Sequence, residues 1–145
     1  MTVTIRMLIA LVVVLGAISA SKKTMAEVIQ IEFTEFDTYG IEVAHIEVGD
    51  TVEWLPKNKG HNVEFLAGPD VSALPSKSIM NERHSILFKQ SGIYLYGCTP
   101  HSNIGMLGLI VVGKDFHNLE NINGVELSKV GKSVVRKLLK KAKSG

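Results

Sequence analysis

The stretch GCTPHSNIGMLG, Gly97 to Gly108, sets Cys98, His101 and Met106 on one short loop directly after the apolar, aromatic run GIYLYG (92–97). A thiolate, an imidazole and a thioether are the donors copper prefers in an electron-transfer site. Upstream, NKGHNVEF (58–65) adds His61 at the start of another strand-like run. The four together make a His₂Cys set with a distant Met. In a strand ending Tyr94-x-Tyr96-x-Cys98, alternation points both aromatics and the cysteine to one side, read here as the interior. Pro100 stiffens the turn, the spacing lets His101 fold back beside Cys98, and Gly105 lets the backbone bend before Met106.

Outward from this loop the chain reads as short strands. EVIQIEF (27–33), IEVAHIEV (41–48), TVEWL (51–55), His61 to Leu66, HSILFK (84–89), GIYLYGC (92–98) and LGLIVVG (107–113) are alternating or continuously apolar runs bounded by Gly, Asp, Pro or Ser. The Gly-Pro-Ser stretch from Gly68 to Ser78 reads as irregular, with room for one helical turn. Strands at this spacing predict an all-β fold, an antiparallel Greek-key two-sheet sandwich over 27–113. The segment 114–145 predicts C-terminal helices packed on the sandwich: a short one over Asp115 to Asn121, then an amphipathic one over Val125 to Lys143. In the latter, Leu127, Val130, Val134, Leu138 and Ala142 form the apolar stripe opposite a lysine face.

The 145 residues carry 16 basic and 14 acidic side chains and a single cysteine. One cysteine excludes an internal disulfide. Arg6 followed by the apolar run Met7 to Ala17 and small residues predicts a signal peptide over 1–26, cleaved after Ala20 or Ala26, and hence a periplasmic protein. An exported lone thiol calls for burial or a metal. Residues 27–128 carry six basic against 14 acidic side chains, while seven basic residues crowd the last segment. The body is therefore acidic and the tail basic. That tail lacks interleaved aromatics and reads as a solvated helix face, so neither nucleic acid nor membrane is an expected partner.

The spacing Cys-x₂-His-x₄-Met resembles the ligand loop of the cupredoxins, and the Cys-Thr-Pro-His variant resembles the pseudoazurin group within them. GDTVEWLPKNKGHNVE (49–64) is similar to the corresponding stretch of that group. The resemblance implies one type 1 copper, cycling between Cu(I) and Cu(II), on His61, Cys98, His101 and Met106. It also implies a soluble electron shuttle rather than an enzyme, with nitrite or nitrous oxide reductase or similar proteins as acceptors; a small shuttle is most simply a monomer. Redox proteins would dock on an apolar patch of Pro100, Ile104, Met106 and Leu107 around His101, rimmed by Lys57, Lys59, Lys77 and Lys114. Gly97 departs from the lysine common before the Cys, and Glu64 and Asp70 add negative charge where the copper end is expected.

Other readings of the same residues carry less. Zinc sites rarely use Met. Met80 lacks the loop context of Met106, and His45, His84 and His117 match no ligand position. A copper carrier or store would use the same four ligands. A thiol enzyme with Cys98 as nucleophile and His101 as base finds no Asp or Asn in the loop to orient the histidine, and leaves Met106 idle. Around the ligands, the side chain of Asn62 is expected to tie the His61 segment to Thr99, and its backbone N–H to approach the Cys98 sulfur.

Overall fold

The computed structural model describes residues 25–145, so all but the last two residues of the expected leader lie outside the described residues. Seven strands follow in order: β1 (Val28–Glu32), β2 (Val43–Ile46), β3 (Thr51–Leu55), β4 (Glu64–Ala67), β5 (His84–Leu87), β6 (Gly92–Gly97) and β7 (Leu107–Val112). They form two sheets, β1-β3-β5 and β2-β7-β6-β4. The β3–β5, β4–β6 and β6–β7 pairs are antiparallel, as expected of a Greek-key sandwich. Each sheet also holds one parallel pair, β1 with β3 and β2 with β7, so both sheets are mixed. Period-two alternation marks which face a strand buries and is silent on its partner's direction.

The sheets enclose an aromatic core. Trp54, Phe65, Phe88, Tyr94 and Tyr96 pack together with Ile31, Val52 and Ile110, and Cys98 and Met106 belong to the same cluster. Tyr94, Tyr96 and Cys98 do share the inner face of the β6 strand, as alternation predicts. The alternate residues Ile93 and Leu95 are equally buried, because they face a second core made with Leu109, Val111, Ile122, Val135, Leu138 and Leu139. That second core lies beneath two helices, α1 (Leu119–Asn123) and α2 (Lys129–Lys143).

The long helix begins four residues later than its periodicity suggests. Ser128 caps it, its hydroxyl accepting from the Gly131 N–H at 3.0 Å. The same residue is fixed to the ligand loop: its N–H donates to Asn103 Oδ1 (2.9 Å) and its hydroxyl to the Asn103 carbonyl (2.5 Å). This anchor sets the rotation of the helix. Gly131, Val135, Leu138, Leu139 and Ala142 turn inward, while Val130, expected in the stripe, stays exposed. The short helix likewise lies later than predicted, and one 3-10 turn, Val71–Ala73, interrupts the irregular stretch.

Candidate metal centre

Three strand ends meet at one end of the four-stranded sheet. β6 delivers Cys98, β7 leaves from Met106, and the extended residues 61–63 lead into β4. The loop between Cys98 and Met106 is knotted by its own backbone. His101 and Ser102 N–H both donate to the Cys98 carbonyl, Met106 N–H donates to the His101 carbonyl, and Cys98 N–H donates to the Met106 carbonyl. Gly105, at φ 110, supplies the left-handed turn that lets the chain reverse there. The His61 segment is pinned from another side. Asn81 N–H donates to the His61 carbonyl (2.9 Å), and Val63 N–H to the Ser78 hydroxyl (2.8 Å).

Asn62 joins the two halves as expected. Its Nδ2 donates to Thr99 Oγ1 (2.9 Å) and its Oδ1 accepts the Thr99 N–H (2.8 Å). Burial raises the Cys98 thiol above its ordinary range, and the backbone N–H groups of Asn62 and His101 act the other way by favouring the thiolate. Burial, reinforced by the neighbouring His101, lowers His61 and so favours the neutral, ligating imidazole.

The donor atoms form a triangle. His61 Nδ1 lies 3.2 Å from His101 Nδ1 and 3.8 Å from Cys98 Sγ, and His101 Nδ1 lies 3.6 Å from that sulfur. A point equidistant from all three atoms is roughly 2 Å from each, close to metal–nitrogen and metal–sulfur bond lengths. Two imidazoles and a thiolate in a trigonal set fit copper. His61, Cys98 and His101 are the residues brought together as a possible metal cluster among the described residues. Met106 is fully buried in the core beside them. Met80 is exposed on another loop, His84 Nε2 donates to the Ser76 carbonyl (2.8 Å), and His117 pairs with Asp115.

Several surface expectations need correction. Met106 and Leu107 are buried and cannot form a docking patch, since the first points into the aromatic core and the second beneath the helices. Ile104 and Pro100 are exposed, and Phe36 is exposed nearby on the groove that Ile104 and Asp37 also line. Lys114 lies beyond the far end of β7, beside Glu27, His45 and Asp50. Lys57 pairs with Glu32 and Lys77 with Glu64. Glu64 does sit at the copper end, accepting from the Thr99 hydroxyl at 2.6 Å, whereas Asp70 caps the distant 3-10 turn. Gly97 has a steric reason: a Cβ there would overlap Ser102 Oγ and stand 2.9 Å from Leu107 Cδ2.

Asp37, which no motif singles out, stands beside both histidines. Asp37 Oδ1 lies 3.6 Å from His61 Nε2 and 3.8 Å from His101 Nδ1. Its loop precedes His61 by more than twenty residues, and no spacing rule links the two. A carboxylate near Cys98 and His101 revives the thiol-enzyme arrangement only superficially. Such a triad needs the acid on the imidazole nitrogen remote from the nucleophile, whereas Asp37 approaches the Nδ1 that already faces Cys98.

Comparison with known proteins also points to copper. Residues 23–113 match the family of copper binding proteins described as plastocyanin/azurin. The chain belongs to that family. Within it, this cupredoxin is similar to pseudoazurins. It is 31% identical to the pseudoazurin of Methylorubrum extorquens over 86% of this chain and 88% of the relative. It is 40% identical to a Rhizobium leguminosarum bv. viciae protein assigned to the pseudoazurins, over 64% of this chain and 60% of that one. The solved pseudoazurin of a Sinorhizobium superposes with a TM-score of 0.74 at 30% identity, over 82% of this chain and 98% of that one. The cupredoxin fold, the copper cofactor and the helical extension follow from these findings.

Proposed function

We propose that this cupredoxin is a periplasmic one-electron carrier, with residues 1–26 as export leader, 27–113 as sandwich and 114–145 as helical extension. His61, Cys98 and His101 would hold the copper, and Met106 would add the weak thioether donor of the set. The observation that carries this reading is the donor triangle, built from two loops that are each held by hydrogen bonds of their own. Bound copper supplies the one-electron couple. The chain supplies the rest. A site braced by its own hydrogen bonds keeps rearrangement between the two oxidation states small, and the apolar core around Cys98 excludes water.

The two histidines divide the work. The side chain of His61 is 4% exposed, while that of His101 is 25% exposed and opens toward the surface where Pro100, Ile104 and Phe36 stand out. His101 is therefore the electron port to redox proteins of the nitrite or nitrous oxide reductase kind. Lys57, Lys59 and Lys77 form the rim. Among the described residues no helix is long and apolar enough to cross a membrane, which accords with a diffusing carrier.

Addition of Cu(II) to purified protein tests the reading. The expected result is an intense thiolate-to-copper absorption band, bleached reversibly by reductant, absent in Cys98→Ser and resistant to a mild chelator. A colourless copper complex, or copper lost at once to the chelator, overturns it.

A further inference from the structure

The geometry points to Asp37 as a positioning residue of the metal centre, whose carboxylate steadies His61 with Nδ1 turned to the metal and biases bound copper toward the cupric state. This rests on the copper reading above. The loop that carries Asp37 is well fixed. Phe33 and Tyr39 bridge across its base, Thr34 N–H donates to the Thr38 carbonyl (2.9 Å), and the Thr34 and Thr38 hydroxyls meet at 2.7 Å. Both base residues also touch the site: the Phe33 ring stands edge-on to the His61 ring, centroids 5.9 Å apart, and the Tyr39 hydroxyl donates to the Asn62 carbonyl (2.8 Å). Asp37 itself has φ 53, a left-handed conformation that Asp tolerates better than most residues.

The carboxylate therefore stands at a held position beside both histidines. His61 turns Nδ1 to the donor triangle, leaving Nε2 to carry the proton, and Asp37 Oδ1 is the acid that faces Nε2. At 3.6 Å this is an electrostatic contact rather than a hydrogen bond. A carboxylate behind a ligating histidine fixes its tautomer and raises its basicity. The charge also acts directly, because an anion beside the metal stabilises the more positive oxidation state.

Asp37 differs in this from the other nearby acid. Glu64 has Lys77 at 3.7 Å and the Thr99 hydroxyl at 2.6 Å. Among the described residues no Lys or Arg forms an ion pair with Asp37. Lys137 and Lys141 line the same groove, and Lys141 is paired with Glu42. The charge of Asp37 is thus the less compensated of the two, although its partial exposure to water weakens its reach.

Redox titration of copper-loaded wild type, Asp37→Asn, Asp37→Glu and Glu64→Gln tests the assignment. Asp37→Asn is expected to lower the ratio of Cu(II) to Cu(I) affinity about tenfold, raising the midpoint potential by roughly 59 mV for this one-electron couple. Asp37→Glu, which keeps the charge, should recover more than half of the shift, and Glu64→Gln should move the ratio less than Asp37→Asn. Wild-type potential in Asp37→Asn with the thiolate band intact overturns the assignment. Equal shifts in Asp37→Asn and Asp37→Glu also overturn it, by tracing the effect to loop packing instead of charge. A wild-type protein without the band overturns the copper reading itself, a different result from either.

Discussion

The two sheets of this cupredoxin are built from similar strands and serve differently. The β1-β3-β5 sheet packs its inner face on the aromatic core and leaves its outer face in water, with Val28 and Leu87 exposed. In the four-stranded sheet the central strands β6 and β7 are buried along their whole length on both faces, by the aromatic core on one side and the helices on the other. Every proposed ligand is attached to this second sheet. The difference shows where the fold invests its rigidity: the strand that aims Cys98 is clamped from both sides, so the sulfur has little freedom to follow a metal or depart from it.

This contrast can be broken by substitution. Leu109→Ala, beneath the helices, is expected to cost about 2–5 kcal/mol, whereas Leu87→Ala on the open face should stay within about 0.5 kcal/mol. Denaturant midpoints of the two variants check this, and comparable losses would erase the distinction between the sheets. A smaller effect is expected where the clamped sheet hands over to the ligand loop. Gly97→Ala forces a methyl against Ser102 Oγ and Leu107 and should cost about 1–3 kcal/mol. Adding Ser102→Gly should restore part of that loss; no recovery in the double variant would show that the Ser102 contact is not the cause.

The smallest effect belongs to the end of the sheet opposite the metal. The backbone N–H of His117 and the Ser91 hydroxyl hold the Asp115 carboxyl at about 2, below its ordinary 3.8. A carboxyl lowered by folding stabilises the native state fully above its ordinary value, and that contribution fades as pH falls toward the folded value. Asp115→Asn should therefore flatten a shallow loss of stability between about pH 4 and 2. The thiolate-to-copper band at neutral pH should not change. An unaltered acid profile would remove Asp115 from the acid response.

Much of this architecture is legible in the residues. Alternation marked the strands and predicted that Tyr94, Tyr96 and Cys98 face inward together, and loop spacing singled out the histidines and cysteine that the structure gathers. What escaped is what depends on distant partners. The parallel pairings do not alter the alternation of either strand. Val130 fits a helical stripe on paper, but Ser128, anchored to Asn103, rotates it into water. Met106 and Leu107 read as docking residues in the sequence because apolar loop residues carry no mark of which core they enter. Asp37 is invisible for a related reason: tertiary contacts, among them the Phe33–Tyr39 bridge, return its loop over the histidines.

The tie between Ser128 and Asn103 has a consequence for assembly order. Ser128, which fastens this loop, lies later in the chain than each of the four proposed donors, so the loop acquires this brace only once Ser128 has been synthesised. A chain that stops short of Ser128 lacks these two bonds, and the loop between Cys98 and Met106 is then held by its own backbone bonds.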